Sequence, residues 1–290
     1  MKLKIVSNYD SDINMYKTMN NCFENNTELN LTIDDDYEYL LVINGYKGKI
    51  NTTRDKVFGL LQEPMGNINY DRNLHFYCNK IFCQNSKMFN SYAGNISVPM
   101  HMFYSHHTHI NKEYFINFDS FENRKKLCLI VSSISNPNNP NWNEHNYVKR
   151  HKLVQKLLNS DLDFDFYGRG WNNILDSRYK GHAENKHEIL RNYQYSICIE
   201  NVNEQNYASE KLFDCFLNNT IALYYGCPNA REFYDENSFE VIDIEDNNIV
   251  NILKNKIQVD SIDYKKSILH SKDIYFNKLN IFNLVYKAII

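Results

Sequence analysis

The chain has 290 residues, of which 43% are hydrophobic and 23% charged, and carries a formal net charge of −3. This length can bury a large core and favours two domains over one, while the composition excludes a disordered chain. The slightly acidic balance argues against a broad nucleic-acid surface, so no nucleic-acid partner is expected.

In chain order, "LKIVSN" (3–8) and "YLLVING" (39–45) read as strands. They are followed by the apolar run "KVFGLLQEP" (56–64), which stops abruptly on Glu63-Pro64, and by the short run "KIFCQN" (80–85). Short apolar runs separated by helical spacing suggest a parallel α/β sheet. The pattern weakens between about 104 and 126. A second series then starts with "KLCLIVSS" (126–133) and continues through the polar loop "ISNPNNPNWNEHN" to a helix over 147–159. Next come the strand "FDFYGRG" (164–170), a helix over 186–193, the strand "YSICIEN" (195–201) and, further on, "FEVIDI" (239–244). Local basic runs at Arg124-Lys125-Lys126 and Lys149-Arg150-His151-Lys152 read as solvated faces. The expected plan is two Rossmann-like halves around a cleft, with ligand groups at strand ends. Boundaries are placed at 1–115, 116–270 and a closing C-terminal helix over 271–290.

Seven cysteines show no CxxC spacing, and several sit in apolar runs, which favours a reducing compartment. The start is too short and too soon polar for a signal peptide, and no apolar run approaches membrane-spanning length. A cytoplasmic, soluble protein without a transmembrane segment is expected.

The stretch "IENVNEQNYASEKLFDCFLNNTIALYYG" (199–226) holds the densest chemistry. Glu200 and Asn201 stand at a strand's carboxyl end, where open α/β sheets bind ligands. Ser209 is placed to cap a helix that carries Lys211 in its first turn, an arrangement suited to an anion such as a diphosphate. Glu210 could accept from ribose or sugar hydroxyls. Taken alone, each of these residues is better explained by capping or solvation.

Taken together, Glu200, Asn201, Tyr207, Glu210, Lys211 and Gly226 resemble the signature of GDP-fucose-dependent α-1,3-fucosyltransferases. The chain departs from that pattern at Ile199, Ser209 and Ala222, where the family has Phe, Thr and Pro. Gly168-Arg169, "VSSISNPN" and the helix with Arg150 extend the resemblance over about 126–246. It implies a GT-B fold whose C-terminal half holds the donor. On that reading Arg150 and Lys211 neutralise the diphosphate and Tyr207 and Glu210 contact the nucleoside. Asn201, together with Glu200, lies near the sugar or its phosphate, and Arg169 is a further donor-binding candidate. The family places a catalytic glutamate after an apolar strand of the N-terminal half, and Glu63 matches best, although the family often reads Glu-Ser-Pro where this chain reads Glu-Pro.

The resemblance therefore implies an inverting glycosyltransferase that moves fucose from GDP-fucose to a GlcNAc- or Gal-containing glycan, forming an α-1,3-type linkage. Alternatives are another nucleotide-sugar donor, or a nucleotide- or glycan-binding protein without turnover. No metal or cofactor is expected to be required, though Mn or Mg could stimulate. Asp34-Asp35-Asp36 reads as a solvated turn, and His106, His107 and His109 lack partners at metal-binding spacing. The absence of GxGxxG and P-loop motifs speaks against a dehydrogenase or kinase. Without an anchor, the chain looks like a bacterial or viral-type enzyme. Its C-terminal "YFNKLNIFNLVYKAII" could dock on the N-terminal half or support a homodimer.

Overall fold

Runs such as Leu40–Ile43 and Ile221–Tyr225 are too short for a buried helix and apolar on both faces. They satisfy their backbone groups by pairing inside a covered parallel sheet. The computed structural model describes residues 1–22, 28–64, 70–84, 95–97, 110–133, 146–171 and 173–290. These divide into two compact units. The first comprises Met1–Asn117, Glu204–Glu210 and Asp273–Ile290; the second comprises Phe118–Asn203 and Lys211–Lys272.

The first unit is built on β1 (Lys2–Ser7), β2 (Asn30–Thr32), β3 (Tyr39–Ile43), β4 (Val57–Leu60), β5 (Lys80–Cys83) and β6 (Asn95–Ser97). They lie in the order β2-β1-β3-β4-β5-β6 with every pairing parallel. β2 and β6 escape a sequence reading because three residues, Asn-Leu-Thr or Asn-Ile-Ser, are too few to show a period. Val6, Leu40, Val42, Val57, Leu61 and Ile81 meet in the core. The helices α1 (Asp12–Cys22), α2 (Leu74–Tyr77) and α3 (Lys112–Ile116) complete the first series.

The second unit contains β7 (Lys125–Ile130), β8 (Asp165–Tyr167), β9 (Tyr193–Ile199), β10 (Ile221–Tyr225) and β11 (Phe239–Val241). Their order is β11-β10-β9-β7-β8, again all parallel. Its helices are α4 (Tyr147–Leu158), α5 (Lys186–Arg191), α6 (Glu210–Leu217), α7 (Ile249–Lys256) and the greater part of α8 (Lys265–Asn277). β9 holds the centre, so its residues from Tyr195 to Ile199 are buried on both faces. The end of α8 and all of α9 (Ile281–Ile289) belong to the first unit. There Lys80 Nζ donates to Ala288 O at 2.6 Å and the Tyr286 hydroxyl to Glu28 at 2.7 Å. The fold class is thus the expected one: two Rossmann-like parallel-sheet units with the C-terminal helix returned to the first.

Several smaller expectations have outcomes here. Asp35 and Asp36 are largely exposed and pair with Lys4 and Lys2 at 2.9 and 2.6 Å, as suits a solvated turn beside β1. Lys186 looks like a surface lysine from sequence, yet it pairs with the buried Asp214 at 2.5 Å. His106, His107, His109 and the loop at 134–145 lie outside the described residues. Cys78, Cys83, Cys128, Cys198, Cys215 and Cys227 are buried thiols outside any disulfide. Among the described residues no helix is long and apolar enough to cross a membrane.

Lys272 is 5% exposed and donates to Asn219 Oδ1 at 2.6 Å. Burial lowers its ammonium to about 7; the Arg191 and Arg124 charges push the same way and Asp119 opposes them. The unfolded chain holds this proton up to the ordinary lysine range, so between pH 7 and 10 it binds more protons than the folded chain. Stability from this group therefore rises with pH across that window and is at its lowest below pH 7. The melting temperature of the wild type should climb relative to Lys272→Met as pH increases, by roughly 1 kcal/mol of stability per pH unit. Parallel melting curves for the two proteins would argue against this.

Candidate functional site

The carboxyl end of β9 gathers four of the residues singled out in the sequence. Arg150 lies one turn into α4 and is only 4% exposed. Its Nη2 donates to Ile199 O at 2.6 Å and to Asn201 Oδ1 at 2.9 Å, while Tyr147 places its ring 5.2 Å from the guanidinium. Asn146, directly before α4, ties the same edge from the other side. Its backbone N–H reaches Asn201 O at 2.7 Å and its amide reaches Glu200 O at 3.0 Å and Asn203 Oδ1 at 2.9 Å. A strand end that would otherwise leave its carbonyls to solvent is thereby fixed to the start of a helix.

Glu200 is fully buried. Its Oε2 lies 3.7 Å from Lys211 Nζ, and its Oε1 accepts from the Tyr224 hydroxyl at 3.3 Å. That hydroxyl in turn accepts from the Cys227 N–H at 3.0 Å. Burial, followed by the Glu200 charge, pushes the Tyr224 phenol well above its usual range, so it serves as a neutral donor. A buried carboxylate without a partner is destabilising by several kcal/mol, and the Lys211 ammonium offsets this. Lys211 itself stands in the first turn of α6, the unfavourable end of the helix dipole for a cation. Glu200 offsets this, and the pair puts a positive charge at the helix N-terminus.

Gly226 follows from the same packing. A Cβ there would overlap Glu200 Cγ and lie 2.7 Å from the Tyr224 hydroxyl. Gly168 answers a similar demand at the end of β8, where φ is +151° and a Cβ would run into Val131 O.

The remaining candidates are placed separately. Tyr207 is buried in the segment Glu204–Glu210, which belongs to the first unit, and its N–H reaches Glu204 O at 3.2 Å. Glu210 opens α6 directly after the buried Ser209. Arg169 is exposed beyond β8, with its side chain on His182 and its carbonyl accepting from Ser133 N at 2.7 Å. Glu63 is half-buried three residues past β4, and its carbonyl accepts from the Gln84 amide at 2.5 Å. Among the described residues no group of three or more His, Cys, Asp or Glu could hold a metal ion.

Sequence reasoning missed Asn146 and Tyr224, whose roles depend on contacts across 50-odd and 24 positions. It also missed the set around Lys149, whose Nζ meets Tyr225 Oη at 2.9 Å and Glu245 at 2.5 Å. Burial alone would lower this lysine, but its Glu245 and Tyr225 hydrogen bonds prevail and leave it raised.

Two cations and a helix N-terminus at a strand's carboxyl end can hold an anion, and residues 138–267 match the family model described as glycosyltransferase family 10 (fucosyltransferase) C-term. That segment resembles a glycosyltransferase family 10 domain. The α-(1,3)-fucosyltransferase FucT of Helicobacter pylori is 30% identical over 97 residues, which cover 33% of this chain and 18% of that protein. The chain thus spans less than a fifth of that relative's length. In fold, an α1,3-fucosyltransferase solved with GDP-fucose superimposes with a TM-score of 0.57 at 16% identity, covering 100% of this chain and 90% of that one. An α1,3-fucosyltransferase solved with GDP gives 0.55 at 17% identity, covering 100% and 89%. These likenesses show that the chain has the GT-B fold.

Proposed function

We propose that this chain is an inverting glycosyltransferase that moves fucose from GDP-fucose to a hydroxyl of a GlcNAc- or Gal-containing glycan, forming an α-1,3-type linkage. The observation that carries this reading is the β9 edge, where Arg150 on Asn201 and Lys211 on Glu200 converge within the segment that matches family 10. In the reaction the acceptor oxygen forms a bond to the anomeric carbon as the bond to the β-phosphate oxygen breaks, and GDP departs with the electron pair. Arg150, Lys211 and the start of α6 stabilise the charge that develops on the diphosphate. Tyr207 and Glu210 contact the nucleoside, Asn201 approaches the sugar phosphate, and Arg169 is a further donor contact. Glu63 takes the proton of the acceptor hydroxyl. Because side-chain cations neutralise the leaving group, transfer is expected to persist in EDTA, with Mn or Mg at most stimulating it.

Melting the protein with nucleotide panels tests the donor. GDP and GDP-fucose should raise the melting temperature, whereas UDP- and dTDP-sugars should not, since only a ligand of the folded state stabilises it. Lys211→Ala should weaken GDP about tenfold or more, the worth of one charged hydrogen bond. Guanosine, which lacks the diphosphate, should bind that variant within twofold of the wild type. Equal losses for both ligands, or none, would remove Lys211 from the diphosphate.

A further inference from the structure

β9 runs seven residues from Tyr193 to Ile199, about 20 Å at roughly 3.3 Å per residue. Arg150, Glu200 and Lys211 gather past its carboxyl end. A separate cavity of about 260 Å³ opens at its other end, lined by Tyr193, Tyr167, Asn123, Lys125 and the last turn of α5. Open parallel sheets place their ligands at the carboxyl edge, so the fold by itself assigns nothing here. The phenols of this cavity are fixed. Tyr193 donates to Asp165 at 2.5 Å, which leaves its oxygen to accept from the Tyr167 hydroxyl at 2.8 Å. Tyr167 has thus spent its proton and keeps a lone pair. Asn192 is in the same position: its amide donates to Glu188 O at 2.8 Å, and its Oδ1 receives no donor among the described residues. Asn123, held at φ +56° where the chain enters β7, makes no side-chain hydrogen bond among them.

The two cations of the lining are already committed. Arg124 spends its terminal nitrogens on the carbonyls of Phe121, Asn218 and Asn219. Lys125 pairs with Asp165 at 2.7 Å, and Asp165 holds Lys180 as well at 3.1 Å. What stays open is mainly oxygen acceptors, which repel an anion and call for a ligand that brings hydroxyl protons. The volume lies at the low end for ligand pockets and limits the occupant to one ring. A pyranose brings hydroxyls for Tyr167, Asn192 and Asn123 and a C–H face for the Tyr167 ring and Ile189. Fixing the phenols beforehand reduces the ordering that binding would otherwise require. We propose that this cavity binds one neutral pyranose unit, at a site separate from the carboxyl edge of β9. The proposal does not depend on the transferase reading, because none of its residues belongs to that edge. A sugar held here leaves the carboxyl edge open, so the site anchors a glycan and takes no part in bond-making.

Amide-resolved NMR on the full chain tests it without requiring turnover. The probes are the methyl β-glycosides of glucose, galactose and N-acetylglucosamine, with glucuronic acid as the anionic control and glycerol as the acyclic one. At least one glycoside should shift the amide signals of Asn123, Tyr167 and Asn192 saturably, leave those of Arg150 and Lys211 in place, and do so equally with GDP present. Glucuronic acid and glycerol should move none of the three. Tyr167→Phe keeps the ring and should raise the dissociation constant by roughly twofold or more, the worth of one neutral hydrogen bond. Asn192→Trp, at an exposed position, should fill the cavity and abolish the shifts while a cooperative melt shows the fold intact. The proposal is overturned if no glycoside moves these signals, if either control moves them as strongly, if GDP displaces the sugar, or if either folded variant binds as the wild type does.

Discussion

Exchanging Glu63 for glutamine should lower the transfer rate by roughly two to four orders of magnitude, the usual contribution of a positioned general base. The affinity for GDP-fucose should stay within twofold. Glutamine keeps the shape and the hydrogen-bonding reach of the side chain but cannot accept the acceptor's proton. The backbone around Glu63 is held on both sides: Leu61 N donates to Phe82 O at 2.9 Å, Gln62 N to Asn44 Oδ1 at 2.8 Å, and the Gln84 amide to Glu63 O. A substitution confined to the carboxylate therefore leaves its frame in place. A Glu63→Gln protein that turned over at the wild-type rate would assign the base to another residue.

The strands were legible because buried parallel strands are written as short apolar runs with little else in them, and β1, β3, β4, β5, β7 and β9 fall on those runs. Their ends were less legible. β4 stops at Leu60, three residues short of Glu63, because Asn44 takes over pairing with Gln62 through its side chain. Arg150 and Lys211 could be named from sequence since they sit in motifs. What fixes them could not, because Asn146, Glu200 and Tyr224 act through contacts that only the fold brings together. Glu200 shows the difference most clearly. Its motif marks it as a donor residue, whereas its complete burial confines it to Lys211, Tyr224 and their neighbours. Lys272 gave no signal at all, since a lysine in a polar helical stretch reads as solvated until Asn219 is found beside it.

Replacing Gly226 by alanine should act on stability and on the donor together. The added methyl meets Glu200 Cγ and Cβ, the latter at 2.8 Å, and the Tyr224 hydroxyl at 2.7 Å, and none of these is the loose end of an exposed side chain. Glu200 has no exposed surface to retreat into, so it must rotate or β10 must shift, an overpacking worth about 1–3 kcal/mol. Either movement takes the carboxylate away from Lys211, so GDP affinity should fall about tenfold while guanosine affinity changes less. The two effects separate in a double-mutant cycle. Glu200→Ala removes the Cγ that the new methyl overlaps, so the pair Glu200→Ala with Gly226→Ala should be more stable than the sum of the single losses, by roughly 1 kcal/mol or more. Glu200→Ala alone should already weaken GDP, because Lys211 loses the charge that holds it at the unfavourable end of α6. If Gly226→Ala melted with the wild type and bound GDP equally well, Glu200 would have another way to lie, and its hold on Lys211 would not be what sets the diphosphate site.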